Sequence, residues 1–309
     1  MSATYERIRA NVAQVVRGKP EVVRLSVVAM LAEGHVLVED VPGVGKTLLA
    51  KAIAKSVAST VRRVQFTPDL LPSDVTGTTV YNSEDHQWEF KPGAVFANIV
   101  LGDEINRAGP KTQSALLEAM EERTVTVDGT THELATPFMV IATQNPVELE
   151  GTYPLPEAQR DRFMMKVTIG YPDADAELQV LETQGSGAGV SEIQPVASAQ
   201  DVAAQIETIK TLHAADPLKR YVVELVRATR EHPGTELGCS PRAGLALLRA
   251  ARAAAAIVGR EYVVPDDVKA LAVPVLAHRL ILSPDAQMSG TAPEAVISEV
   301  LRTVPVPER

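Results

Sequence analysis

The chain of 309 residues contains one cysteine, Cys239, and no uninterrupted apolar run near the roughly 20 residues that span a bilayer. A single cysteine cannot form a disulfide within the chain and lacks the partners of a thiolate metal site. The six histidines show no metal-ligand spacing such as H-E-x-x-H. The first residues show no apolar core with a cleavage site, so we expect a cytoplasmic protein without membrane insertion.

Basic residues are also in the minority. Lys and Arg number 30 against 39 Asp and Glu, which gives a formal net charge of −9 and a pI near 5.3. This balance argues against a protein that holds nucleic acid mainly by neutralising phosphates. The hydrophobic fraction of 45% is that of a globular protein, and the length predicts about two domains.

Five short apolar runs without polar alternation, separated by segments of helical spacing, indicate parallel strands that are buried on both faces. They cover residues 36–38, 64–66, 99–101, 139–142 and 164–169. Two helices are predicted before them, over 5–16 and 20–33, and four after them, near 200–212, 217–231, 241–259 and 265–279. We therefore predict an α/β domain over residues 1–184 and a small all-helical domain over 185–309, joined at a Gly- and Ser-rich stretch.

One segment departs from the parallel pattern. Residues 124–127 and 131–134 flank Asp128-Gly129, a pair that is typical of a type I′ turn. The sequence therefore predicts a β-hairpin inserted into the α/β domain.

A phosphate-binding loop is predicted between the first strand and the following helix. The loop ends in Gly43-Val44-Gly45-Lys46-Thr47, after Pro42 and before Leu48. The glycines let backbone N–H groups face a phosphate, and a helix that starts near Lys46 adds its dipole. Lys46 is expected to reach the β- and γ-phosphates and Thr47 to bind Mg²⁺. Asp40 stands where the motif has its first glycine, and a plain Gly-rich turn is the alternative interpretation.

Two carboxylates, Asp103 and Glu104, follow the third apolar run. In open α/β sheets ligands bind at the carboxyl ends of the strands. We assign Asp103 to the metal and Glu104 as the general base that polarises an attacking water. Two solvated acids that cap the next helix are the alternative. Gly102 is unusual in a strand, and we expect it to admit a close backbone approach.

With these residues the chain resembles the MoxR family of AAA+ ATPases over nearly its whole length. The matching stretches are residues 34–47, 66–77, 103–108, 142–146, 150–159, 161–163, 240–243 and 259–268. The resemblance implies a P-loop domain with a five-stranded parallel sheet and an inserted hairpin, followed by a helical lid. It also implies a nucleotide-dependent ring, usually a hexamer, that binds ATP and Mg²⁺ at its subunit interfaces.

The resemblance assigns further site residues. Asn145 is expected to orient the attacking water, although Asn145-Pro146 is also a turn initiator. The family's trans-acting arginine corresponds to Arg162, with Arg160 as a competitor. Arg242 corresponds to the lid arginine that contacts the γ-phosphate. Independently, a cation in the first turn of a helix that Ser240 is predicted to cap opposes the helix dipole, which often marks a functional site.

Near the adenine, the resemblance places Val16 and Gly18, where the family's Gly-Gln is Gly18-Lys19. It also identifies residues 77–96 and the Asp128-Gly129 hairpin as the insertions that meet targets.

The leading hypothesis is an ATP-hydrolysing, chaperone-like remodelling or maturation factor. The resemblance suggests a protein client and a von Willebrand factor A (VWA) domain protein as adaptor. Three alternatives remain: the ATPase subunit of a metal-chelatase-like complex, a DNA motor, and a scaffold that binds ATP without turnover. The net charge and a 124–134 hairpin without Lys or Arg speak against the DNA motor, so no nucleic-acid partner is expected.

Overall fold

The computed structural model describes residues 2–39, 44–145, 151–171, 174, 178 and 193–307. Its α-helices are α1 (Ser2–Ala13), α2 (Pro20–Leu31), α3 (Lys46–Ser56), α4 (Pro72–Thr76), α5 (Pro110–Glu122), α6 (Glu157–Arg160), α7 (Ala199–Lys210), α8 (Asp216–Glu231), α9 (Pro241–Ile257), α10 (Pro265–Leu276), α11 (Pro284–Met288) and α12 (Pro293–Thr303). Its strands are β1 (Val36–Glu39), β2 (Val61–Gln65), β3 (Gly77–Asn82), β4 (Gln87–Pro92), β5 (Ile99–Asp103), β6 (Thr124–Val127), β7 (Thr130–Glu133), β8 (Met139–Gln144), β9 (Met165–Val167), β10 (Thr235–Leu237) and β11 (Ile281–Leu282).

The predicted parallel sheet is confirmed, with strand order β2-β5-β8-β1-β9. The three central strands β5, β8 and β1 are almost entirely buried, which explains why they read as unbroken apolar runs. The strand β2 begins three residues earlier than its apolar run. Because β2 lies at the sheet edge, Arg62 and Arg63 can be exposed, and their polarity hid the start of the strand.

The predicted hairpin is formed by β6 and β7. Asp128 and Gly129 both have positive φ, at 49° and 80°, as a type I′ turn requires. A second antiparallel hairpin, β3–β4, lies within the predicted 77–96 insertion. The Phe90 ring of β4 stacks on His132 of β7 with centroids 4.0 Å apart, so the two hairpins pack against each other. Trp88, two residues before Phe90 on β4, is 72% exposed.

The C-terminal domain is helical as predicted, and a short antiparallel pair, β10–β11, is added to its helices. This pair was not predicted because strands of three and two residues carry no periodicity. The helices α9 and α10 pack against α2 and β9, and one apolar core extends across both domains. The predicted boundary between residues 184 and 185 lies outside the described residues. Among those that are described, no helix has the length and apolarity needed to cross a membrane.

One carboxylate also joins the domains. Glu33 follows α2, and its side chain is only 10% exposed. It forms ion pairs with Arg123 at the end of α5, with Lys210 of α7 at 3.0 Å and with Arg249 of α9 at 3.3 Å. The end of α5, which leads directly into the β6–β7 hairpin, is thus held to the same group as two lid helices.

A buried histidine, His35, lies directly before β1. His35 Nδ1 accepts the backbone N–H of Val140 at 2.9 Å, and its Nε2 lies 3.0 Å from the Met120 carbonyl. Nδ1 must therefore be unprotonated while Nε2 donates. Burial, with a smaller effect of Arg123 and Arg249, lowers the pKa of His35 to about 4.

We expect this histidine to destabilise the fold in mild acid. Between pH ~6.5 and ~4 the unfolded chain binds a proton that folded His35 does not, so the free energy of unfolding falls as the pH falls, by up to about 1.4 kcal/mol per pH unit. NMR titration of the His35 ring should give a midpoint near 4. A midpoint near the ordinary histidine value would contradict this account.

Candidate active site

The candidate active site begins at the carboxyl edge of the sheet. The register pairs Gln65 with Asp103 and Glu39 with Gln144, so the ends of β2, β5, β8 and β1 lie level with one another. The helix α3 starts seven residues after Glu39 at the same edge. Residues that follow these strands are therefore neighbours in space.

The described part of the phosphate loop starts at Val44; Pro42 and Gly43 lie outside the described residues. Gly45 precedes α3 with φ 92° and ψ 18°, and a Cβ there would have no atom within 4 Å. Glycine is therefore needed for the left-handed backbone and not for space. Lys46 and Thr47 open α3, where the backbone N–H groups of the first helical turn and the helix dipole favour a phosphate. Val44 and Leu48 pack on the core beside them.

Asp103 ends β5 as a buried carboxylate. Its Oδ2 accepts a hydrogen bond from Arg63 Nε at 2.6 Å, and its Oδ1 lies 3.4 Å from the hydroxyl of Thr143. Gly102 precedes it, and a Cβ there would lie 3.0 Å from the Phe66 ring. The expectation of a close backbone approach at Gly102 was therefore wrong, because an aromatic side chain fills the space.

Glu104 has an unusual backbone conformation for a residue with a Cβ, at φ 57° and ψ 53°. Its N–H donates to the buried Thr143 hydroxyl at 2.9 Å. Its Oε2 accepts from Gln65 Nε2 at 2.7 Å and pairs with Arg107 at 3.0 Å. Two donors thus compete with an attacking water for the same carboxylate oxygen.

The other predicted residues of this edge are also close to it. Asn145 directly follows β8, next to the ends of β5 and β1. Val16 and Gly18 lie in the turn between α1 and α2, where Lys19 Nζ donates to the Tyr171 carbonyl at 2.7 Å. Since Tyr171 follows β9, this turn borders the carboxyl end of the strand beside β1.

Arg162 and Arg242 do not lie at this carboxyl edge; both contact the same carboxylate, that of Glu121. Arg162 Nε is 3.2 Å from Glu121 Oε2, and Arg242 pairs with Glu121 Oε1. Glu121 sits near the end of α5, and Arg162 precedes β9. The competing Arg160 contacts Glu157 at 4.0 Å instead.

This arginine pair occupies the amino edge of the sheet. The helix α5 runs back from the carboxyl end of β5, and β9 starts at Met165 after Arg162. The sheet strands have three to six residues, so at about 3.3 Å per residue the two edges are roughly 15 Å apart. Arg162 and Arg242 are therefore not brought to the phosphate loop of their own chain.

Magnesium chemistry fits the carboxyl edge. Mg²⁺ prefers oxygen ligands and is usually held by one or two carboxylates together with substrate phosphates. The buried Asp103 carboxylate and the Thr47 hydroxyl are such ligands. No cluster of three or more His, Cys, Asp or Glu residues within the described ranges could hold a metal. This donor set therefore suits a Mg²⁺ ion that arrives with a nucleotide.

Four partners of the site were missed by sequence reasoning: Gln65, Arg63, Thr143 and Glu121. Gln65 and Thr143 occupy the same carboxyl edge as Asp103, a position that strand register alone could have indicated. Arg63 was hidden because its edge strand is polar. Glu121 carried no local signal, because its role depends on tertiary contacts with two distant arginines.

Comparisons with known proteins match both domains of the chain. A sequence profile described as the ATPase family associated with various cellular activities (AAA) matches residues 35–165, and one described as the AAA lid domain matches residues 227–300. The uncharacterized Bacillus subtilis protein YeaC is 51% identical over 96% of this chain and 93% of its own. Chaperone MoxR1 of Mycobacterium tuberculosis is 43% identical over 99% of this chain and 83% of its own.

More distant relatives extend the match. Protein MoxR of Paracoccus denitrificans is 34% identical over 99% of this chain and 97% of its own. A crystal structure from Cytophaga hutchinsonii, assigned as an ATPase, superposes with a TM-score of 0.93 at 40% identity and covers 99% of this chain and 96% of that one.

We predict that Glu104→Gln retains nucleotide binding but hydrolyses ATP at least ~10²-fold more slowly, because an amide cannot accept the proton of the attacking water. Single-turnover phosphate release and binding of a fluorescent ATP analogue measure the two steps separately. Glu224→Gln, the same change at an exposed position of α8, is the matched control. Near wild-type turnover by Glu104→Gln would remove Glu104 from the role of base.

Proposed function

Because the chain belongs to the MoxR family of AAA+ ATPases, we propose that it hydrolyses Mg²⁺-ATP in a ring of its own copies and uses the cycle to remodel a protein client. The family is one of oligomeric ATPases, and the relatives include a protein named as a chaperone. We further propose that the ring is a hexamer and that a VWA-domain protein acts as the adaptor for the client.

A single observation carries the proposal: the described site residues are divided between two edges of one sheet. Lys46, Thr47, Asp103 and Glu104 lie at the carboxyl edge. Arg162 and Arg242 lie together at the amino edge. A γ-phosphate bound at the first edge can meet these arginines only if a neighbouring copy supplies them. The division therefore supports an active site between subunits.

The proposed division of labour follows from residue chemistry. Lys46 and the start of α3 bind the phosphates, and Thr47 and Asp103 hold Mg²⁺. Glu104 polarises the attacking water, and Asn145 orients it. Arg162 and Arg242 of the neighbouring copy neutralise charge that develops on the transferred phosphoryl group. Arg162 is favoured over Arg160 because it already shares Glu121 with Arg242.

A protein client is supported by the surface of the two hairpins. Their acidic residues are exposed and outnumber the single base Lys91: Glu84, Asp85, Glu89, Asp128 and Glu133. Such a surface repels nucleic acid phosphates. Beside these charges Trp88 and Tyr81 expose 72% and 46% of their surface, with ring centroids 5.3 Å apart. Exposed aromatic side chains of this kind are typical of protein-binding surfaces.

We expect Arg162→Ala to lose turnover by ~10³-fold or more while its own phosphate loop still binds nucleotide. Mixing it with Glu104→Gln subunits should restore part of the activity, since these donate an intact Arg162 to the neighbour's functional base. Lys46→Ala subunits, which also keep Arg162, are a second donor and should likewise restore activity to Arg162→Ala subunits. If neither mixture regained turnover, the proposal of an active site between subunits would fail.

Partner capture tests the remodelling function. Glu104→Gln held in Mg²⁺-ATP should retain a client or a VWA-domain protein that Lys46→Ala does not retain. Adding Trp88→Ala to the Glu104→Gln bait should reduce this capture, whereas Met288→Ala, at an 88% exposed position of the lid, should not. Recovery of nucleic acid, or equal recovery by all baits, would count against a protein client.

A further inference from the structure

The segment Asp161-Arg162-Phe163 is held by the lid through a buried arginine. Arg279, in the 3₁₀ turn that follows α10, has a side chain only 3% exposed. Its Nη2 donates to the Phe163 carbonyl at 2.6 Å and to the Asp161 carbonyl at 3.3 Å. Its Nε forms an ion pair with Asp161 Oδ1 at 3.4 Å. One lid side chain thus contacts the residues on both sides of Arg162.

The Asp161 carboxylate extends this link to Arg242. The hydroxyl of Ser240 donates to Asp161 Oδ2 at 3.0 Å. Ser240 was predicted to cap α9, but its hydroxyl makes no capping hydrogen bond, because it is directed across the domain interface instead. Ser240 stands two residues before Arg242. Asp161, which directly precedes Arg162, is therefore bonded to the start of the helix that carries Arg242.

This seam, defined as residues 159–163, 240, 278 and 279, is poorly paired. Ten buried side-chain nitrogen and oxygen atoms lack a hydrogen-bond partner among the described residues, and five of them belong to the seam. They are Gln159 Oε1, Arg160 Nε, Asp161 Oδ1 (which is within ion-pair distance of Arg279), His278 Nδ1 and Arg279 Nη1. Buried polar and charged groups of this kind contribute little to stability compared with well-packed apolar residues. A purely structural interface would gain more from apolar side chains.

We propose that Arg279 is a positioning residue that fixes Arg162 and Arg242 to each other across the domain interface. Through Asp161 and Ser240 it makes the 161–163 segment and the start of α9 one unit, which faces the neighbouring subunit's nucleotide. The lid then cannot change its angle without moving both arginines. The proposal rests on the proposed function, because it assumes that these arginines act on a neighbour.

In the proposed ring each subunit takes part in two active sites: its own phosphate loop and the neighbour's site to which it donates arginines. The test measures the two separately. Subunits that carry Glu104→Gln cannot hydrolyse ATP but can donate arginines to Arg162→Ala neighbours. Adding Arg279→Gln to the Glu104→Gln donor should lower the rescued kcat by about 10²-fold, the loss expected from a misplacement of roughly 1 Å. The KM for ATP should not change, and fluorescent nucleotide binding to the donor's own loop should stay intact.

Milder variants guard against a misfolded donor. Arg279→Lys keeps a cation near one carbonyl and should recover part of the rescue. Ser240→Ala removes the hydroxyl that binds Asp161 and should lower the rescue about tenfold. Ser198→Ala is its matched control, since it also removes a serine–aspartate hydrogen bond, from Ser198 to Asp201 at 2.7 Å at the start of α7. This control should rescue as fully as the parent donor.

Each result decides the matter. Full rescue by donors carrying Arg279→Gln or Ser240→Ala would overturn the positioning role, as would an equal loss with Ser198→Ala. Impaired nucleotide binding by the donor's own loop would show that Arg279 acts only on the fold of its own chain. If the parent Glu104→Gln donor fails to rescue, the proposed site between subunits is itself wrong, and the role of Arg279 falls with it.

Discussion

The five strands of the parallel sheet all run in one direction, and this backbone polarity determines at which edge each functional residue lies. Residues that follow strands collect at one edge of the sheet, and residues that precede strands collect at the other. Asp103, Glu104 and Asn145 belong to the first group, and Arg162 to the second. Burial of apolar strand residues on both faces keeps the sheet rigid, so neither set can migrate to the other edge. Assembly is then the simplest way to bring them together.

Besides the shared apolar core, charged contacts at the amino edge fix the lid to this sheet. Glu33 binds cations from the end of α5 and from two lid helices, and Asp161 binds Arg279 and Ser240. Buried charged contacts of this kind contribute less to stability than well-packed apolar residues would. The interface between the domains thus combines a continuous apolar core with a margin of charged and polar contacts.

Local patterns predicted most of the fold, because the relevant physics is local. The central strands, the type I′ hairpin and the lid helices each show a characteristic periodicity or turn pattern in the sequence. Sequence patterns did not predict the role of a residue where that role depends on a partner far away in the sequence. Ser240 looked like a helix cap, yet its hydroxyl serves Asp161, 79 positions earlier. Glu121 and Gln65 likewise gain their roles only when strand order and helix packing place them beside Arg242 and Glu104.

The second hairpin has a practical consequence for spectroscopy. The chain contains one tryptophan, and that residue, Trp88, is 72% exposed on β4. Indole fluorescence of the whole protein therefore comes from a single position on the surface that is formed by the two packed hairpins. A blue shift or a loss of quenching would report burial of that position directly, without any label. Events at the phosphate loop can thus be timed against an intrinsic optical signal from the hairpin surface.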